Sequence, residues 1–260
     1  MGVQLFFLLS AYCMCMTWVN GQVHSVKDLC FWLLRKYKRL IPWYAVGVVL
    51  YTMLAYIGIG TIDKSAYTPV NIVPNLFLVN GFISEAQNSI VPGGWSISCI
   101  ALFVFSAPLF MNRLSLITLV GLFVVGMVGI AISIWGYRMC GWSRFYTYCS
   151  PYNQAIVFVL GVAYWFCYTK CKRTLDVSRI ILLVIAISFC GLAVLSVLLD
   201  KEDAIFYRHI LVSLGFIAII EFWRNYYNKS WWWVAWIGRH SYEIFIVHFA
   251  IIWTVRKFFS

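Results

Sequence analysis

The chain alternates long apolar stretches with short polar connectors. Runs near the ~20 residues that cross a bilayer fall at about 2–19, 40–60, 94–111, 114–135, 154–169, 179–199, 207–223 and 240–255. None shows the strict apolar and polar alternation of barrel strands, and backbone inside a membrane has to satisfy its own hydrogen bonds, so each run reads as a helix. The pattern predicts an all-α fold, a polytopic transmembrane helix bundle of about eight spans with no soluble domain of any size. Residues 1–260 read as a single transmembrane domain. The stretch 71–82 is apolar but short, and Pro74, Asn75 and Asn80 inside it predict a re-entrant or interfacial segment.

The connectors orient the spans. The one between the first two runs carries Lys27, Arg35, Lys36, Lys38 and Arg39, and an excess of Lys and Arg marks the cytoplasmic side. Counting onward, Arg113, the cluster Lys170, Lys172 and Arg173, and Arg224 with Lys229 also fall inside. Asp63 and the acidic segment Asp200, Glu202 and Asp203 fall outside, with Arg138 and Arg144 as mild exceptions. The first run then begins outside at Met1 with no basic flank, which predicts a further helix ahead of it.

Composition sharpens the picture. Hydrophobic residues make up 63% of the chain and charged residues 11%, too few to keep a soluble surface wet, so the lipid bilayer is the first partner. A net charge of +11 suggests nucleic acid in a soluble protein, but these cations sit in short connectors, where orientation and anionic lipid account for them. No nucleic-acid partner is expected. The 13 Trp and 16 Tyr suit the two interfaces, and Trp231, Trp232 and Trp233 form one candidate belt. The nine Cys form no CxxC pair and no Cys/His spacing typical of zinc, so no metal site is expected. Cys140 and Cys149 share one connector, which leaves room for a bridge on an oxidising side.

Five segments carry the chemistry: GVQLFFLLSAY at the start, FWLLRKYKRLIPWY, GGWSIS, AIVFVLG, and IGRHSYEIFIVHF near the end. In this order they resemble the acyltransferase 3 family of membrane acyltransferases, whose members carry GVDLFFVLSG, RRxxRIxP, WSLSVE, FxxG and SYxIYLxH. The resemblance covers nearly the whole chain. It implies transfer of an acyl group, often acetyl, from cytoplasmic acyl-CoA as donor substrate to a carbohydrate acceptor, a hydroxyl of a surface or exported polysaccharide. It also implies a multi-pass enzyme of the bacterial inner membrane with no bound cofactor. Two departures stand out. The family's WSLSVE ends on a Glu where this chain has Ile100. The family's catalytic His lies in a helix ahead of GVDLFF, the place where this chain begins, so an amino-terminally incomplete or inactive enzyme is one expectation. The rivals are a non-catalytic remnant and a transporter of a glycan or lipid.

The residues support specific roles. Arg35, Lys36 and Arg39, beside Lys38 and Pro42, form a cationic edge that serves either as a topology signal or as a reader of coenzyme phosphates. A helix starting near Pro42 would add free N–H groups to that edge. Trp95, Ser96 and Ser98 open a helix after Pro92, Gly93 and Gly94, where hydroxyls cap orphan N–H groups or meet substrate. Ser241, Tyr242, Glu243 and His248 lie on one span, where polar side chains are costly and by default mark a site. Glu243 and His248 differ by five positions, about 140° around a helix, so they do not form a dyad. His248 is the catalytic candidate, because its reference pKa lies near neutrality. Glu221 is expected to pair with Arg224, three residues on.

Overall fold

The structure, a computed structural model, describes residues 2–21, 23, 25–60, 64–170, 178–199, 201–226 and 231–259. Among these the chain is helical and free of strands. The helices are α1 (Gly2–Asn20), α2 (Val26–Tyr56), α3 (Pro69–Leu76), α4 (Trp95–Met111), α5 (Leu116–Met139), α6 (Arg144–Cys149), α7 (Pro151–Lys170), α8 (Arg179–Leu198), α9 (Arg208–Tyr226), α10 (Trp232–Arg239) and α11 (Ser241–Phe259). The predicted positions Asp63, Lys172, Arg173, Asp200 and Lys229 lie outside the described residues.

Four helices, α1, α2, α5 and α8, are long and apolar enough to cross a membrane, and α4 is apolar but shorter. Their outward faces are oily: Ile117 is 85% exposed and Ile180 72%, a surface that only lipid makes stable. The runs predicted at 154–169, 207–223 and 240–255 fall within α7, α9 and α11. The stretch 71–82 folds as α3 followed by a single 3-10 turn, Asn80–Phe82.

The helix ends follow local chemistry. Ser115 accepts from the Thr118 N–H at the start of α5, and Ser143 accepts from the Tyr146 N–H at the start of α6. Pro151 opens α7, where a missing N–H costs nothing. At the start of α2, Ser25 Oγ accepts from the Asp28 N–H (3.1 Å) while Asp28 Oδ2 accepts from the Ser25 N–H (3.0 Å), a reciprocal capping box.

The chain divides into two compact units, one of residues 1–29 and 102–228, the other of 30–101 and 229–260. In the first, α7 is the central element. Its Gly161 lies so near α1 that a Cβ there would stand 2.6 Å from the Leu8 carbonyl oxygen and 2.7 Å from the Ala11 methyl. On α5, a Cβ at Gly126 would meet Ile156 of α7 at 2.7 Å. Phe158 stacks on Phe7 and on Phe103, both at 4.7 Å between centroids. Small residues that let backbones approach are the usual means of joining helices in lipid. At one end of this unit Arg138 pairs with Asp203 (3.2 Å) and Arg144 donates to the Lys201 carbonyl (3.2 Å). The two basic exceptions to the charge pattern therefore sit on the acidic connector assigned to the same side.

The second unit holds α3, α10, α11, most of α2 and the first turns of α4. Here polar groups join the elements. Tyr51 Oη donates to the Ile246 carbonyl (2.7 Å) and accepts from the Ala250 N–H (3.2 Å). It is thereby wedged into the backbone step that α11 would otherwise close by itself. Lys257 Nζ donates to the carbonyls of Ile57 (3.3 Å) and Gly58 (2.9 Å), beyond the end of α2.

Candidate functional site

Every site residue expected from the sequence lies in the second unit, and the structure joins the three segments that carry them. Tyr242, buried on α11, donates from its hydroxyl to the Leu40 carbonyl of α2 (3.0 Å). Arg39 of α2 donates to the carbonyl of Arg239, the last residue of α10 (3.2 Å), a cation placed where a helix end carries partial negative charge. Gly93 has φ +77°, and a Cβ there would lie 2.9 Å from the Phe245 ring of α11. Gly94 leaves room for the Tyr44 hydroxyl of α2, and a Cβ there would press to 2.9 Å from the Val91 carbonyl oxygen.

The basic segment is not a connector. α2 runs unbroken from Val26 to Tyr56 with Pro42 inside it, so the N–H groups after Pro42 are used within the helix and present no anion-binding end. The expectation of a helix start at Pro42 fails because Lys and Arg are good helix formers, and the capping box at Ser25 sets the start sixteen residues earlier, at Val26. What remains is a side-chain site. Arg35, Lys38 and Arg39 are exposed, and at spacings of three and four they share one helix face. Lys36 is half-buried, its Nζ 5.2 Å from the centre of the Trp32 ring.

Ser96 and Ser98 are fully buried at the start of α4, but neither caps it. Ser96 Oγ donates to the Gly93 carbonyl (2.8 Å). Ser98 Oγ donates to Asn80 Oδ1 (2.6 Å) and accepts from the Gly81 N–H (2.9 Å), so it holds the 3-10 turn against α4. Asn80 Nδ2 donates to the Gln87 carbonyl (3.2 Å), and Asn75 Oδ1 accepts from Tyr44 (2.6 Å). These hydroxyls and amides are structural supports of the segment beside Trp95, itself 7% exposed. Ile100 is buried at 3% exposure, so an apolar side chain fills the place where the family motif carries a carboxylate.

On α11, Ser241 Oγ donates to the Gly238 carbonyl (3.0 Å). Glu243 Oε2 is buried and finds no hydrogen-bond partner among the described residues. His248 Nδ1 lies 2.6 Å from the Phe245 carbonyl oxygen. A carbonyl only accepts, so that contact places a proton on Nδ1, and in the neutral ring Nε2 is then the acceptor. The ring lies 4.1 Å from that of Phe249, and the Tyr51 wedge brackets it at Ile246 and Ala250. His248 is therefore oriented by backbone and rings rather than by Glu243.

The five motif segments thus sort into two sets, the first and fourth against each other in one unit and the other three in the second. A family model described as an acyltransferase domain, that of acyltransferase 3, matches residues 1–260. The chain belongs to the acyltransferase 3 family. No curated protein and no solved structure matches it. It is a membrane protein and an acyltransferase by family.

Within this acyltransferase the sequence reading missed one polar cluster altogether. Gln4, Tyr148, Asn153, Gln154 and His209 gather in the first unit, and Gln4, Asn153, Gln154 and His209 are each at most 1% exposed. Burial raises the pKa of the Tyr148 phenol against the opposing pull of Arg208, so its hydroxyl stays protonated at neutral pH. The signal was available: Gln4 and His209 both fall inside predicted spans, where polar side chains mark sites. The connector that leaves room for a Cys140–Cys149 bridge does not form one: Cys140 is exposed and Cys149 is buried in α6, with no disulfide between them. Glu221 pairs with Arg224 and accepts from Tyr164 Oη (2.7 Å).

Proposed function

We propose that this acyltransferase takes its acyl group, acetyl in the simplest case, from cytoplasmic acyl-CoA and transfers it to a hydroxyl of an exported polysaccharide. It would do so as an eight-span protein of the bacterial inner membrane. The family supplies the reaction class. The observation that carries the donor is the exposed face of Arg35, Lys38 and Arg39 on α2. Guanidinium and ammonium groups there suit the phosphates of a coenzyme, and the charge pattern assigns that end to the cytoplasm. Lys36 adds a fourth cation on the flank.

The chemistry follows from His248. Its Nε2 accepts a proton from the acceptor hydroxyl, the alkoxide oxygen attacks the thioester carbonyl carbon, the C–S bond breaks, and the imidazolium returns the proton to the departing thiolate to release the coenzyme thiol. Trp95, Ser96, Ser98, Ser241, Tyr242 and Glu243 would line or support the substrate path. Because Ile100 removes a carboxylate that the family motif supplies, a non-catalytic relative that still binds acyl-CoA is the second reading.

Radiolabelled acetyl-CoA and purified protein in lipid nanodiscs decide between them. The enzyme reading expects label in added polysaccharide, with transfer lowered at least about a hundredfold by His248→Gln. It also expects donor binding weakened by Arg35→Gln with Lys38→Gln. Binding without transfer supports the non-catalytic relative. Absence of both binding and transfer overturns the donor assignment.

A further inference from the structure

The cluster in the first unit holds more hydrogen-bonding capacity than the protein uses. Gln4 Nε2 donates to Tyr148 Oη (3.0 Å) and to Gln154 Oε1 (3.4 Å), while Gln154 Nε2 donates to the Tyr148 carbonyl (2.6 Å). Asn153 Nδ2 donates to the Ile205 carbonyl (2.9 Å). These bonds fix which way each amide points. They leave Gln4 Oε1, Asn153 Oδ1 and both ring nitrogens of His209 buried with no hydrogen-bond partner among the described residues. Backbone at Ile205 and Asn153 lies near the imidazole without meeting hydrogen-bond geometry. The His209 ring stands 6.3 Å from that of Tyr148, and Arg208, half-buried, covers the other ring at 4.5 Å.

Buried polar groups are almost always paired, and one left unpaired carries a desolvation penalty. Four around one tyrosine call for an occupant, and the inventory sets its chemistry. Two amide oxygens only accept, and a neutral imidazole offers one donor and one acceptor. Three acceptors thus face one donor. A carboxylate or phosphate would supply only acceptors. A hydroxyl supplies both roles, and three neighbouring hydroxyls satisfy the whole set.

We infer that Gln4, Asn153 and His209 form a binding site for an uncharged, hydroxyl-bearing molecule, with Tyr148 and Arg208 as its wall. Trapped water has the same O–H chemistry, so the test has to separate the two. The charge pattern assigns the starts of α1, α7 and α9, which contribute the three residues, to the outer end of their helices. That this molecule is the acceptor of the acyl group rests on the proposed function; that it binds does not.

The experiment uses the full chain in lipid bilayers with ¹⁵N-labelled histidine and no acyl donor. The His209 ring signals are assigned by their loss in His209→Gln and followed by solid-state NMR. Glycerol is the probe, and trimethylamine N-oxide, an osmolyte with acceptors but no O–H donor, is the control. The expected result is a saturating shift of the His209 signals with glycerol alone, its affinity lowered about tenfold by Asn153→Leu or Gln4→Met, the loss of one buried hydrogen bond. Signals that ignore glycerol, as water alone would leave them, overturn the site. So does an equal shift with both osmolytes. Absence of acyl transfer in the separate nanodisc assay, with this glycerol response intact, would instead count against the proposed function.

Discussion

The two units solve the same problem by different means. Around α7 the helices close by subtraction: Gly161, Gly126 and Gly129 omit a side chain, and a neighbour's backbone or side chain fills the space. Around α2 and α11 they close by addition, with the hydroxyls of Tyr44, Tyr51 and Tyr242 and the amides of Asn75 and Asn80 reaching across to carbonyls and side chains. Lipid is as apolar as the helices it surrounds, so neither unit gains from apolar burial in the usual way. Close packing is unforgiving of added volume. Interhelical hydrogen bonds are individually modest, because the separated helices find other partners.

Substitutions can break or sharpen that contrast. Gly161→Val forces a branched side chain against the Leu8 backbone and should cost about 3 kcal/mol or more, seen as a large fall in melting midpoint in micelles or loss of folded material. Asn80→Leu strands the Ser98 hydroxyl and the Gln87 carbonyl, and about 1–3 kcal/mol is expected. Tyr51→Phe should cost under about 1 kcal/mol, because the Ala250 N–H can return to the Ile246 carbonyl once the wedge is gone. Amide exchange at Ala250 should then slow rather than quicken. Gly121→Ala, with nothing within 4 Å of the added carbon, should be neutral or stabilising by up to about 1 kcal/mol. A larger loss from Tyr51→Phe than from Gly161→Val would overturn the contrast between the units.

The sequence announced the helices and hid the junctions. Apolar runs of bilayer length came out as helices because lipid leaves the backbone no other way to pair its own groups. The start of α2 was misplaced because charge density was read as a connector, although Arg35, Lys36, Lys38 and Arg39 all favour a helix and the Ser25–Asp28 box was present. Ser98 looked like a cap from its position. Its true partner, Asn80, lies 18 residues away, and spacing alone cannot show that pairing. The Gln4, Asn153 and His209 cluster draws on three helices far apart in the chain, so no local motif records it. His248 and the cations of α2 stand out in the sequence because a charge or an imidazole in so apolar a chain is conspicuous.

Arg39 has a second consequence. Its guanidinium already holds the final carbonyl of α10, the helix whose exposed Trp232, Trp233 and Trp236 suit the headgroup layer. An incoming phosphate and that carbonyl compete for one side chain. If the proposed donor docks on this face, its occupancy would untie the tryptophan helix, and indole emission would then report its arrival.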